Sequence, residues 1–320
     1  MRRIGLVVAI SFSLALATLA GESQPNAPVR TIGILAGTPE SSRVFEQGLR
    51  DLGWIEGQNV RFERHVSDDY QKLLPLASKL TRIPVDVIFA GNAPSIRAAM
   101  EASKTVPIIS VSGDPVSAGF VASLARPGGN VTGLAIMNPE LSGKRLEILT
   151  EAFPRARRIA LLANPSNPAT PAMRRETEAR AKAIGVQLLP FEASVPEQLA
   201  DVLATAAQKH SDALVVLSDP MFNFNRRRLV EAAAQHRLPA VYEWREFVEA
   251  GGLMAYGPSF TDLFRGAATY ADRVLRGARP SDLPVEQASK FELVINMKTA
   301  KALGLTIPQS VLLRADQIIQ

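Results

Sequence analysis

The stretch VSGDPVSAGFVASLARPGGNVTG, residues 111–133, runs an apolar segment into Ser112-Gly113-Asp114-Pro115 and then breaks at Pro127-Gly128-Gly129-Asn130 before the next β-branched run. An aspartate followed by proline is a helix-start signal, so the spacing predicts a strand, a helix opening at Pro115, and a second strand from Val131. Polar residues where a strand ends and a helix begins are where open α/β sheets hold a ligand.

The same alternation extends both ways. RTIGILAG, VRFERHV, VDVIFAG, VPIISVS and VTGLAIM form one set of short β-branched runs, and RRIALLAN, VQLLPFEA, SDALVVLS, PAVYEW and GGLMAYG form a second. Amphipathic segments separate them, such as residues 196–210, where Leu199, Val202, Leu203 and Ala206 recur at helical spacing. Parallel strands joined by crossover helices are the expected result. Shifting the first set by about 126 positions lays it on the second, with VDVIFAGNAP falling near SDALVVLSDP.

The fold class read from this pattern is α/β, with two Rossmann-like doubly wound lobes. Residues 29–137 plus 279–320 are assigned to the first lobe and 138–278 to the second. Residues 139–153 and 260–275 are read as crossings between lobes. The last strand, KFELVIN, is expected to return to the first lobe, making a hinge of several strands.

The chain has 320 residues, enough for two cores, and a net charge of +5 spread along its length, which argues for no nucleic-acid partner. Met1-Arg2-Arg3, the apolar run to Leu19 and the small residues around Ala20 read as a secretory signal peptide, residues 1–20, cut after Ala20. With no cysteine, the exported chain has neither disulfides nor the attachment point for a lipid anchor, and a soluble periplasmic protein is expected.

Candidate site residues are those at the carboxyl ends of the strands. Thr38, Asn92, Ser112 and Asp114 stand there in the first lobe, and Asn164, Ser166 and Asp219 in the second. Asp114 and Asp219, each before a proline on matching elements, suit a ligand ammonium. Thr38, Asn92 and Ser166 with nearby N–H groups suit a carboxylate, so a small zwitterion fits. Each of these residues also fits a plain helix cap. Phe222, Tyr242 and Tyr256, with Trp244, offer stacking surfaces for an apolar side chain, or pack the core. His65, His210 and His236 are scattered, and Arg226-Arg227-Arg228 reads as a solvated helix face. Nucleotide, metalloprotease and nucleophile-elbow signatures are absent, so no enzyme and no cofactor are indicated.

The segments GDPVSAGFVASLARPGGNVTGL, LSGKRLEIL, YEWREFVEAGGLMAYG and KFELVINMKTAKALGLTIP resemble the ABC transporter substrate-binding protein family that includes tryptophan- and tyrosine-uptake binding proteins. That resemblance implies a type I periplasmic-binding-protein fold that closes around a small-molecule ligand. It also implies a monomer working with an ABC permease and its cytoplasmic ATPase. Gly91-Asn92-Ala93-Pro94 departs from the short Ser/Thr-rich turn of the aromatic amino-acid binders and leaves the ligand open. A receptor feeding a membrane signalling protein, or a doubly wound hydrolase, are the alternative readings.

Overall fold

The computed structural model describes residues 28–320; the signal-peptide reading falls outside them. Two sheets carry the fold. The first holds β1 (Arg30–Ala36), β2 (Val60–Val66), β3 (Val87–Ala90), β4 (Ile108–Ser112) and β5 (Val131–Ala135). The second holds β6 (Arg158–Ala163), β7 (Gln187–Glu192), β8 (Ala213–Val216), β9 (Ala240–Tyr242) and β10 (Met254–Pro258). Three late strands complete them: β11 (Glu286–Gln287), β12 (Phe291–Asn296) and β13 (Gln317–Ile319).

The strand orders are β11-β5-β4-β3-β1-β2 and β13-β12-β10-β9-β8-β6-β7. Without the late strands both wind identically and in parallel, so the internal repeat of the sequence is a repeat of topology. The central strands are buried on both faces, which is why β1 and β3 read as continuous apolar runs while the edge strand β2 alternates with charges.

In the first lobe one face packs Phe45 and Leu49 of the helix Pro39–Asp51 against Phe89, with the Phe45 and Phe89 rings stacked at 4.0 Å. The opposite face buries Leu73, Leu80 and Ile96. The helix Pro39–Asp51 starts as the sequence dictates: Thr38 accepts from the Ser41 N–H, and Pro39 fills the first turn, where no N–H is needed.

Two sequence expectations change. The connection between β4 and β5 contains no helix. Residues 115–119 make only turns, with Phe120 N–H bonded back to the Pro115 carbonyl and Gly119 at φ 72° ending the coil. Phe120 and Val121 then dive into the core, so burial of two large side chains outweighs the helix-start signal at Asp114-Pro115.

The lobe boundaries also shift. KFELVIN does not return to the first lobe: β12 pairs antiparallel with β10 and parallel with β13, in the second sheet. The helix Phe260–Leu275 does the opposite, leaving β10 to pack on the helix Pro39–Asp51 and on β3, β4 and β5. The helix Asn138–Ala152 leaves β5 to pack on β8, β9, β10 and the helix Thr170–Ile184. Each lobe therefore receives a covering helix from the other's last strand. The chain crosses after β5, after β10 and between β11 and β12, and the last segment places β11 beside β5 in the first sheet.

Gly133 shows how tightly β4 and β5 meet. Its φ is 135°, and a Cβ there would lie 2.1 Å from the Ser110 carbonyl oxygen. Gly133→Ala is expected to cost roughly 2–4 kcal/mol through backbone strain and overlap. Thermal melting followed by circular dichroism checks this, with Gly129→Ala, which faces open space, as the unaffected control.

Candidate functional site

The carboxyl ends of β1, β3 and β4 face those of β6, β8 and β9 across a cleft that encloses a cavity of about 70 Å³. The first lobe contributes Gly37, Thr38, Asn92 and Gly113, and the second Asn167, Ser218, Asp219 and Glu243. An apolar wall is made by Trp244, Phe260 and Phe264 with Val111 and Ile136. Trp244 meets Phe260 edge to face at 5.3 Å, and Phe260 lies 4.5 Å from Phe264.

The two lobes touch across this cleft. A Cβ on Gly37 would stand 2.8 Å from the Pro220 Cβ, so these turns meet at van der Waals contact only because residue 37 has no side chain. Tyr70, at the start of the helix Tyr70–Leu80, donates its hydroxyl to Asp219 at 2.6 Å. Asn225 donates to Asp68 at 3.1 Å, and Arg226 pairs with Glu40. Arg226 is thus no solvated charge but a contact between lobes.

Asp219 is the hub of the second wall. Its oxygens accept from Tyr70, from Asn164 at 3.2 Å and Asn167 at 2.9 Å, and from the N–H groups of Met221 and Phe222. Burial pushes its carboxyl above the ordinary value, while the bonds from Tyr70, Asn167 and Asn164 pull the other way. Tyr70 is raised well above the usual phenol range by burial and by Asp219, so it remains a donor. Asp219 lines the cavity, yet every part of its acceptor capacity serves the protein itself.

Behind that wall lies Arg145, on the helix Asn138–Ala152, with no exposed surface. Its Nε donates to the Tyr256 carbonyl at 2.7 Å and its Nη1 to Ser218 at 3.1 Å, while its Nη2 stands 4.0 Å from Glu243. Burial raises the Glu243 carboxyl, and the Arg145 guanidinium opposes that shift. Among the described residues the side-chain oxygens Asn138 Oδ1, Asn223 Oδ1 and Glu243 Oε1, and the nitrogen Arg145 Nη2, are buried without a hydrogen-bond partner.

Of the residues picked from the sequence, Thr38, Asn92 and Asp219 line the cavity, the first two also capping helices through Ser41 and Ser95. Asn164 lies one step back, donating to Asp219 and accepting from Ser166 N–H, and the Ser166 side chain is exposed. Ser112 is buried beside the cavity without lining it, and its hydroxyl has no partner. Asp114 accepts from Ser117 N–H and borders a neighbouring 210 Å³ pocket instead.

The three aromatic candidates pack elsewhere. Phe222 is wholly in the core, Tyr242 stacks on Phe247 at 4.7 Å, and Tyr256 stacks on Phe291. Tyr242, the last residue of β9, turns its ring into the core, and Glu243 and Trp244, just past the strand's end, reach the cavity. Asn138, Asn223, Phe260, Phe264, Arg145 and Tyr70 went unrecognised, since helical spacing marks the phenylalanines as core and nothing local marks the others.

The fold and site can be set beside known proteins. A tyrosine-binding protein of Clostridioides difficile (strain R20291) is 28% identical over 269 residues, which is 83% of this chain and 77% of that one. A solved ABC domain in complex with L-Trp from Streptococcus pneumonia superimposes with a TM-score of 0.84 at 28% identity, covering 91% of this chain and all of that one. A conserved domain protein of Vibrio cholerae gives 0.85 at 26% identity, covering 91% and 99%. The architecture is that of type I periplasmic binding proteins. The sequence model described as ABC transporter substrate binding protein matches residues 38–319, nearly the whole described chain. The chain belongs to that family.

Proposed function

We propose that this protein captures an amino acid, with an aromatic one as the leading candidate, in the cavity between its lobes and delivers it to an ABC importer. The observation that carries the reading is the cavity itself, closed by contacts from both lobes and bordered by buried polar atoms that lack partners. An unpaired buried polar group costs about 1–3 kcal/mol, so such atoms collect where a ligand is meant to pair with them. The wall of Trp244, Phe260 and Phe264 supplies edges and faces for an aromatic side chain. Relatives whose names specify tyrosine binding and a bound L-Trp support the same class.

Closure is the working step. With the lobes apart, the ligand meets one wall. On closing, Tyr70 reaches Asp219, Asn225 reaches Asp68 and Arg226 reaches Glu40. A micromolar ligand needs a net binding energy of about 8 kcal/mol, within reach of a few charge-assisted bonds and one buried ring after the costs of closure. No bond in the ligand is made or broken. In this reading residues 1–20 export the chain to the periplasm, where a permease with its cytoplasmic ATPase receives the ligand.

A thermal-shift screen of the purified protein against the amino acids tests the reading. A true ligand at 100 times its Kd adds about 2.7 kcal/mol of stability, so L-tyrosine or L-tryptophan is expected to raise the melting midpoint by several degrees. A flat response to every amino acid, with a shift from a sugar or organic acid, would replace the ligand class.

The latch gives an independent prediction. Tyr70→Phe removes one charge-assisted bond that exists only in the closed form, which should weaken ligand binding by roughly tenfold, or about 1.5 kcal/mol. Calorimetric titration checks it. Unliganded melting should move little, because Asp219 keeps its four other donors.

A further inference from the structure

Among the described residues, the ionisable side chains that line the cavity are two carboxylates, Asp219 and Glu243; no lysine, arginine or histidine lines it. The nearest guanidinium is Arg145, 4.0 Å behind Glu243. Two acids thus share this wall with one base. Asp219 has five donors and needs no more. Glu243 is 7% exposed, and its Oε1 is buried with no hydrogen-bond partner among the described residues.

Two further acceptors share its situation. Asn138 and Asn223 are each 7% exposed, each lines the cavity, and each has a side-chain oxygen without a partner. They come from different elements: Asn138 opens the helix that follows β5, Asn223 sits in the short helix Pro220–Phe224, and Glu243 directly follows β9. Three unpartnered oxygens, one of them on an acid, call for a ligand group with several donors and a positive charge. A primary ammonium has three N–H donors and that charge. A hydroxyl brings one donor and no charge, and a carboxylate would face Glu243 directly.

Resting on the reading that the cavity takes an amino acid, we propose that Glu243, Asn138 and Asn223 seat the ligand's ammonium group and make a free cationic amine the requirement for binding. Arg145 is then a positioning residue. Tied to the Tyr256 carbonyl and to Ser218, it fixes the guanidinium that favours the charged form of Glu243 against burial, and it does not touch the ligand. Asp219, the obvious acid of the cleft, is not the amine's partner.

The test titrates the purified protein calorimetrically with L-tryptophan and L-tyrosine and with their 2-hydroxy acid counterparts, in which OH replaces NH3+. The amino acids are expected to bind at least about 100-fold tighter, because a site built around a donor group penalises its loss. Glu243→Gln keeps the size and one acceptor but removes the charge. It should lose about 30-fold or more for the amino acids while changing the hydroxy acids by no more than about threefold. The same variant's unliganded melting curve reports whether it folds.

Hydroxy acids that bind the wild type as tightly as amino acids would overturn the assignment, and so would a Glu243→Gln protein with undiminished amino-acid affinity. Either result leaves the amino-acid reading intact. If no amino acid binds and a ligand lacking an amine does, that reading fails and this assignment with it.

Discussion

A buried carboxylate must be paid for with donors, and Asp219 finds them only by drawing on both lobes. Four of its five bonds come from the second lobe: two backbone N–H groups at a helix start and the amides of Asn164 and Asn167. The fifth is the Tyr70 hydroxyl from across the cleft. Opening the cleft replaces that phenol with water, an exchange that nets about 1 kcal/mol and not the several that burying an unpaired charge would cost. On the proposed reading the closed form is therefore held lightly, which leaves a ligand's own contacts to tip the balance between open and closed.

The exchange of helices gives each lobe a core closed by a helix from the other's last strand. The helix Asn138–Ala152 follows a strand of the first sheet but packs in the second lobe, and Phe260–Leu275 does the reverse. Each sheet is thus covered on both faces whatever the angle between lobes. The lobes are joined by three crossings, at the ends of β5 and β10 and between β11 and β12. Arg145 and Glu243 lie wholly on the second side of those crossings, so the acidic wall belongs to one lobe. The Phe260–Phe264 edge belongs to the first lobe, although Trp244 meets it from the second.

The strands and the repeat were legible because a strand buried on both faces needs an unbroken β-branched run, and RTIGILAG, VDVIFAG and SDALVVLS have few other uses. The β4–β5 connection was not: Asp114-Pro115 carries the local chemistry of a helix start, whereas the outcome turned on where Phe120 and Val121 could be buried. Membership of KFELVIN in the second sheet was hidden for a similar reason, because pairing with β10 is a nonlocal choice. At the site, strand-end logic picked out Thr38, Asn92 and Asp219, which line the cavity. It also picked Tyr242 and Phe222, whose rings lie in the core, because the side a ring faces depends on the packing around its element and not on its place at a strand or helix end. Tyr70 and Arg145 have meaning only through partners 149 and 73 residues away, which no local pattern encodes.

The charge pattern of the cavity bears on the other end of the ligand as well. No cationic side chain among the described residues lines it, so a ligand carboxylate would rest on neutral donors. Those are available on the first lobe: the helices Pro39–Asp51 and Ala93–Ala102 both start at the cavity, and Asn92, whose oxygen accepts from Ser95 N–H, lines it with an amide donor. Helix starts offer partial positive charge and free N–H groups, enough for one carboxylate but without the full charge that would hold a sulfate or phosphate. On the proposed reading the first lobe takes the ligand's carboxylate and the second its ammonium, with an aromatic wall between them, so that a molecule carrying both ends engages both lobes at once.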